Sequence, residues 1–141
     1  MKEYRIARLV KSEDLNHHGT LFAGRSAEWL VEAGFIAAAA THGRPQDVLC
    51  VNIHGFVFKL PVQKGDIITL FSKIARVGNT SITVYVKAVS EITDNKHVGG
   101  FLTFVCVDPE TRQKVKHGIT LDEPENDEEI EIRERAAQLL V

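Results

Sequence analysis

The sequence predicts an α+β domain of about five antiparallel strands, one long helix and a short C-terminal helix. Apolar residues recur at three-, four- and seven-residue steps from about Leu21 to Thr41, which is the period of a helix with a buried face. From Asp47 onward the apolar period falls to two, as in β-strands. The length of 141 residues suits one domain with its own core.

The N-terminal third of the chain contains the first strand and the long helix. Apolar and polar residues alternate from Lys2 to Val10, which predicts a strand with one buried face. A polar loop from Lys11 to Thr20 separates this strand from the helix. The helix ends where Gly43 and Pro45 follow its last apolar residues. Because the four alanines from Ala37 to Ala40 allow close packing on all sides, we expect other elements to wrap the helix.

Four further strands follow the long helix. Their predicted bounds are Val48 to Leu60, Ile67 to Val77, Ser81 to Ile92 and Val98 to Val107. The last of these strands is apolar on both faces, so we expect it to be a central strand that is covered on both sides.

The C-terminal segment is acidic and returns to a helical pattern from Glu125. Its apolar residues form a thin stripe of Ile132, Ala136 and Leu139. We therefore expect residues 1–121 to form the domain and residues 122–141 to be an acidic helical extension.

The composition excludes several classes of protein. A formal net charge of −2 gives no global basic surface, so nucleic acid is not an expected partner. Arg25, Glu28 and Glu32 interrupt the longest apolar run, so no membrane span is expected. The charged N-terminus lacks the apolar core of a signal peptide, and we expect a cytoplasmic protein. Cys50 and Cys106 lie in apolar runs without metal-ligand spacing, which favours reduced core cysteines and no metal.

A polar cluster of Asn16, His17, His18, Gly19 and Thr20 comes directly before the long helix. The first N–H groups of a helix lack intrahelical partners and carry partial positive charge, so they bind anions and developing oxyanions. The small residues Ala23 and Gly24 would let a ligand approach these groups closely. The alternative is that Asn16 or Thr20 only caps a core helix.

Several side chains near the helix start could act as acids or bases. Glu28 and Glu32 lie four residues apart on one helical face. His17 and His18 are alternative bases because an imidazole titrates near neutral pH. The alternative for all four is a solvated surface position.

The motif around the helix start is N-H-H-G-T-L-F-A-G from Asn16 to Gly24, followed by E-W-L-V-E from Glu28 to Glu32. It resembles the N-x-x-G-T-L-F-G-G motif of the hot-dog fold acyl-CoA thioesterases, in the branch of long and medium chain acyl-CoA hydrolases. The segments FKLPVQKGD (58–66), RVGNTS (76–81) and FLTFVCVD (101–108) are similar to later strands of that branch. The resemblance covers about residues 1–120. It implies a hot-dog fold, in which a curved antiparallel sheet wraps a long central helix.

The resemblance also implies roles for the motif residues. In that family a backbone N–H at the helix start polarises the thioester carbonyl, and the motif's Asn comes from the neighbouring subunit to position water or carbonyl. Asn16 matches this Asn, and Ala23 and Gly24 match the glycine pair with one substitution. The resemblance thus implies a catalytic role for Asn16 and Gly24 and an oxyanion role for Ala23, with His17 and His18 as further positioning candidates.

The acidic position departs from the family pattern. The family places a catalytic Asp two turns into the helix, and Val31 stands at that position, followed by Glu32. Glu32 lies eight residues after Gly24, as Val31 does after Ala23, so the whole site could be shifted by one residue. Glu32 is therefore the favoured acid, Glu28 is the second candidate, and the absence of any acidic catalyst is the third possibility.

The turn after the third predicted strand resembles the part of the family that contacts CoA. It contains Arg76, Gly78, Asn79, Thr80 and Ser81, whose cationic and backbone donors suit phosphates, although an ordinary hairpin explains the same residues. Three other cations, Lys59, Lys64 and Arg112, are weaker candidates.

The expected function is hydrolysis of an acyl-CoA thioester to the free acid and CoA, with water activated by Glu32 and no cofactor besides the CoA substrate. The alternative is a non-catalytic acyl-CoA binding or regulatory protein that has lost the Asp at Val31. Because one helix covers only part of one face of a five-stranded sheet, we expect at least a homodimer, or a larger homo-oligomer with shared sites.

Overall fold

A five-stranded sheet and two α-helices make up residues 1–139, the part of the chain that the computed structural model describes. The strands are β1 (Tyr4–Leu9), β2 (Val48–Phe58), β3 (Ile67–Val77), β4 (Ser81–Ser90) and β5 (Lys96–Cys106). The helices are α1 (Ala23–His42) and α2 (Asp127–Ala137), with short 3₁₀ turns at Ser12–Asp14 and Pro45–Asp47. The predicted element order and fold class are confirmed.

The sheet is antiparallel throughout, in the order β1-β3-β4-β5-β2. The two strands that flank α1 in the sequence, β1 and β2, therefore form opposite edges of the sheet. β2 is an irregular edge strand, because its register with β5 shifts between Cys50 and Asn52 and again between His54 and Val57. The sheet curves around α1, which is the hot-dog arrangement that the resemblance implied.

The inner face of the sheet packs against α1. Leu30, Ala33 and Ala37 of the helix are at most 1% exposed and share one core cluster with β4 and β5 residues such as Val84 and Leu102. The contact at Gly34 is so close that a Cβ atom there would lie 2.8 Å from Leu102 Cδ1. The expectation that other elements wrap the alanine-rich helix is confirmed for Ala37 to Ala39, whereas Ala40 is exposed.

The outer face of the sheet carries α2. Its predicted apolar stripe packs on Ala75, Tyr85 and Phe101, so β5 is covered on both faces as expected. The helix begins at Asp127, two residues later than the sequence pattern indicated, because Asn126 caps it by accepting a hydrogen bond from the Glu129 N–H (2.9 Å). The division of the chain at residue 121 stays a prediction.

None of the helices within residues 1–139 combines the length and the apolar character needed to cross a membrane.

Candidate active site

The start of α1 has two unsatisfied backbone donors. The Phe22 carbonyl accepts hydrogen bonds from the N–H groups of Arg25 (3.0 Å) and Ser26 (3.1 Å), and Phe22 is the N-cap without a side-chain cap. The N–H groups of Ala23 and Gly24 make no hydrogen bond within residues 1–139. The alternative that Asn16 or Thr20 caps this helix is therefore wrong, and both donors remain free to bind a ligand.

Asn16 folds the loop that leads into the helix. Its Oδ1 accepts hydrogen bonds from the N–H groups of His18 (2.9 Å) and Thr20 (3.2 Å), and its Nδ2 donates to Thr20 Oγ1 (3.1 Å). The loop turns at Gly19, whose φ of +79° lies in the left-handed region that favours glycine. Asn16 is half-buried, so part of its amide stays accessible.

The two loop histidines lie on the surface. The rings of His17 and His18 are 3.9 Å apart, and both residues are exposed. Neither ring lines a cavity described below, so their positioning role stays a prediction.

Asp14 anchors the helix start and was missed by the sequence analysis. Its side chain is buried, accepts from the Lys11 N–H (2.9 Å), and pairs with Arg25 Nη1 (3.1 Å). Its carbonyl accepts from the Phe22 N–H (2.8 Å), which sets the direction of the chain into α1. In the sequence, Asp14 looks like any solvent-exposed acidic residue of a polar loop. Its separation of only 11 residues from Arg25 was the one sign of an ion pair.

A groove of about 560 Å³ runs beside the first turns of α1. The lining residues from α1 recur at three- and four-residue steps, so they share one face of the helix. β2 and β5 each contribute one residue to the opposite side of the groove. The lining residues are Gly24, Ala27, Glu28, Val31, Glu32, Phe35, Cys50 and Phe104. An apolar trough therefore begins at a free helix amide and carries carboxylates on its rim, an arrangement that suits an acyl chain with a polar head.

The two candidate carboxylates differ in their partners. Glu32 forms an ion pair with Arg8 of β1, and its side chain is 52% exposed. Glu28 is 72% exposed and lies 3.6 Å from Arg25 Nε. The Arg8 guanidinium also lies 5.8 Å from the Trp29 ring centroid, so it contacts both Trp29 and Glu32 of α1. Val31, between these glutamates in sequence, lines the groove with an apolar side chain.

The Phe22 ring covers Gly24. A Cβ atom at Gly24 would lie only 2.6 Å from Phe22 Cε2, so the glycine makes room for the ring. Phe22 is 54% exposed, so the ring lies at the surface of the helix start.

The two cysteines occupy different positions. Cys106 is fully buried in the core, as expected, but Cys50 is half-buried and forms part of the groove wall. Burial raises the pKa of both thiols, so neither is a ready thiolate nucleophile.

The predicted CoA-binding turn is a tight hairpin between β3 and β4. Gly78 donates its N–H to the Ser81 carbonyl (3.0 Å), and the Asn79 and Thr80 carbonyls accept from His117 (3.3 Å) and Cys106 (2.8 Å).

Arg76 precedes this hairpin and turns toward α2. Its Nη1 donates to the Ala136 carbonyl (3.4 Å) and to the Leu139 carbonyl (3.3 Å). A role in CoA binding stays a prediction for Arg76, Gly78, Asn79, Thr80 and Ser81.

Comparison with known proteins shows that this chain is similar to thioester hydrolases. The family model of the thioesterase superfamily matches residues 18–95, which include α1 and the motif from His18 onward. A Bacillus subtilis protein named uncharacterized acyl-CoA thioester hydrolase YkhA is 30% identical over 129 residues, which are 89% of this chain and 72% of that protein.

Solved structures share the whole architecture. An acyl-CoA hydrolase from Staphylococcus aureus, determined in complex with butyryl coenzyme A, coenzyme A and coenzyme A disulfide, is similar with a TM-score of 0.82 and 27% identity, covering 96% of this chain and 80% of that one. A hexameric hotdog fold thioesterase of Campylobacter jejuni is similar with a TM-score of 0.68 and 29% identity, covering 92% of this chain and 94% of that one.

Proposed function

This chain belongs to the thioesterase superfamily, and on that premise we propose that it hydrolyses an acyl-CoA thioester to the free acid and CoA. One observation carries the proposal: the N–H groups of Ala23 and Gly24 are free at the start of α1, and Gly24 lines the apolar groove. Two fixed donors at a helix start stabilise the oxyanion that forms when a thioester carbonyl is attacked, and such donors contribute roughly 10²-fold to 10³-fold to kcat.

The proposed reaction uses groups of this chain and water. A carboxylate of Glu32 takes a proton from water while the water oxygen bonds to the thioester carbon. The carbonyl electron pair moves to the oxygen that the Ala23 and Gly24 N–H groups hold. Collapse of this intermediate re-forms the carbonyl and breaks the carbon–sulfur bond, and the CoA sulfur leaves with the electron pair and takes the proton from Glu32.

Glu32 and Gly24 of one protomer are too far apart to act on one carbonyl. Eight residues of α-helix span about 12 Å, whereas a reacting water must lie about 3 to 3.5 Å from its carbon. The proposal therefore requires Glu32 of one protomer to serve the helix start of a second protomer. Two α1 helices that run antiparallel across a two-fold axis would bring these residues together.

The exposed edge of β2 supplies a surface for that second copy. Leu49, Val51, Ile53 and Val57 are each between 48% and 60% exposed along this unpaired edge. A long apolar edge strand with free backbone groups pairs readily with another strand. Antiparallel pairing of β2 with its copy would join the sheets and set the two grooves side by side. We propose this homodimer as the unit of any larger assembly, such as a hexamer.

The test is steady-state hydrolysis across a panel of acyl-CoA esters of increasing chain length. Glu32→Gln is expected to lower kcat by about 10²-fold or more, because it removes the proposed general base. Glu28→Gln, a matched change on the same helical face, is expected to leave kcat within about threefold. Equal kcat in wild type and Glu32→Gln would overturn the proposed role of Glu32.

Two observations favour a second function, which is binding of acyl-CoA without hydrolysis. Glu32 is ion-paired with Arg8 and half exposed, and the groove presents apolar Val31 where the family has its Asp. Both features suit a protein that binds acyl-CoA without turnover. Tight binding of a CoA ester with no release of free CoA thiol across the panel would establish this alternative over the hydrolase.

A further inference from the structure

A second cavity, of about 490 Å³, lies on the outer face of the sheet, away from the groove. It is bounded by β2, β5 and the C-terminal end of α2, and it is lined by three cations: Lys59, Lys96 and Arg135. No aspartate or glutamate lines it. We call this cavity the outer pocket. Its charge is positive although the whole chain has a net charge of −2.

The positive charge of the outer pocket is not balanced by ion pairs. Within residues 1–139, none of Lys59, Lys96 and Arg135 forms a salt bridge with a carboxylate. Neutral aromatic groups hold two of them instead. Lys96 Nζ donates to the Tyr85 hydroxyl (3.1 Å), and the Arg135 guanidinium lies 5.1 Å from the Phe101 ring centroid. Because these aromatic partners are neutral, they orient the two cations without neutralising their charge. The charge therefore remains available to a ligand.

Gly99 makes room for the Lys96 side chain. A Cβ atom at Gly99 would lie 2.7 Å from Lys96 Cε and 3.0 Å from Lys96 Nζ. The lysine stem therefore crosses the sheet directly over the glycine. Lys96 lines the outer pocket.

A buried hydroxyl chain fixes the imidazole that borders the outer pocket. His54 Nε2 lies 2.8 Å from Thr103 Oγ1, which lies 2.9 Å from Thr83 Oγ1. Both threonines are at most 1% exposed. The Nδ1 atom of His54 makes no hydrogen bond within the described residues, so it remains available at the pocket wall.

We propose that the outer pocket binds a phosphate-bearing anion. Lysine and arginine side chains are the common recognition groups for phosphate oxygens, and three of them around one cavity match a ligand with two or more phosphate charges. Two sources share this chemistry: the phosphorylated end of a CoA ester, which rests on the proposed function, and a separate phosphorylated compound. The predicted hairpin from Gly78 to Ser81 is a different element from this site.

The test is calorimetric titration at low ionic strength with inorganic pyrophosphate. The variant is Lys96→Gln/Arg135→Gln, and the matched control is Lys114→Gln/Lys116→Gln, which removes the same charge at exposed positions. The first variant is expected to bind pyrophosphate at least tenfold more weakly than wild type, whereas the control keeps the wild-type affinity. Lys96→Gln alone, which leaves α2 unaltered, is expected to weaken binding at least threefold.

Pyrophosphate affinity that is equal in wild type and both Lys96 variants would overturn the proposal, as would the absence of binding to wild type at millimolar pyrophosphate. The same titrations with CoA identify the source. A parallel loss of CoA affinity assigns the pocket to the phosphates of CoA, and an unchanged CoA affinity assigns it to a separate phosphorylated compound. Because binding is measured without turnover, a failure of the hydrolase proposal would not be mistaken for a failure of this site.

Discussion

Glu32 and Arg8 form an ion pair that joins α1 to β1 at the rim of the groove. Both side chains are partly exposed, at 52% and 38%, so the pair contributes at most about 1 kcal/mol to stability. We expect the pair to matter for orientation, because the guanidinium contacts the carboxylate that the proposed reaction uses. The pair therefore links the edge strand β1 to the proposed chemistry.

Arg8→Met is expected to lower kcat by about threefold to tenfold, because Glu32 would lose its ion-pair partner while keeping its carboxylate. In the double variant Arg8→Met/Glu32→Gln, kcat should be no lower than in Glu32→Gln alone, since residues that act as a unit are not additive. The measurement is a double-mutant cycle on kcat. Additive losses would show that Arg8 acts independently of Glu32.

Gly24→Ala separates activity from stability. The added Cβ would displace the exposed Phe22 ring and narrow the approach to the helix amides, so kcat/KM is expected to fall at least tenfold. The free energy of unfolding should change by no more than about 1 kcal/mol, because alanine is the better helix former.

Gly34→Ala on the same helix is the control for that experiment. Its Cβ would meet Leu102 inside the core, so it is expected to destabilise the fold by roughly 1 to 3 kcal/mol. If Gly24→Ala lost stability to the same extent and kept its activity, Gly24 would be a packing residue only.

Ile53→Lys tests the β2 edge. Placing a charge in the middle of this exposed apolar strand is expected to shift the protein to monomers, as measured by sedimentation, and to abolish hydrolysis because each site needs two protomers. Ile92→Lys, at a position that is 65% exposed in the turn after β4, should keep both assembly and activity. An active monomer of Ile53→Lys would contradict the shared site.

The sequence predicted the fold and the motif loop because both depend on short-range patterns. Periodicity located α1 and all five strands, and the residues around Asn16 and Gly24 identified the helix start. The pairing of Arg8 with Glu32 was not predictable, since it depends on how β1 docks beside α1. Arg76 bonds to the end of α2 for a similar reason: the position of a terminal helix on the sheet is a tertiary property.

Sequence patterns did not predict the outer pocket, because its cations come together only in the folded chain. Lys96 and Arg135 are far apart in the chain and approach each other only because α2 crosses the outer face of the sheet. The sequence made Lys59 a weaker candidate for a phosphate contact. Nothing in its local sequence indicated that Lys96 and Arg135 line the same cavity.

Glu129 is expected to make the docking of α2 dependent on pH. Burial tends to raise the pKa of this carboxyl, but Lys73 and other positive neighbours outweigh burial, and its pKa lies below the usual range. The stability from this group is therefore present above the unfolded pKa of about 4.3 and is lost as the pH falls through the lower folded value.

Glu129→Gln is accordingly expected to lower the free energy of unfolding by roughly 1.5 to 3 kcal/mol at pH 7, because Lys73, Arg133 and the N-terminal amine each lose one charged hydrogen-bond or ion-pair partner. The difference from wild type should shrink below about pH 4, where the wild-type carboxyl is also protonated. Glu128→Gln, at an exposed neighbour that pairs with Lys87, should change stability by less than about 1 kcal/mol at either pH. Denaturant unfolding at both pH values is the measurement.

Val31→Asp distinguishes the two proposed functions. If Glu32 is the base, a second carboxylate one residue earlier introduces like charge and a polar group into the apolar groove, so kcat is expected to stay unchanged or fall. If the chain is a binding protein that has lost its acid, the same substitution restores the family's Asp on the helical face that looks into the groove. A gain of at least tenfold in acyl-CoA hydrolysis would then follow. The comparison is made in the Glu32→Gln background as well, where a gain can arise only from the new carboxylate.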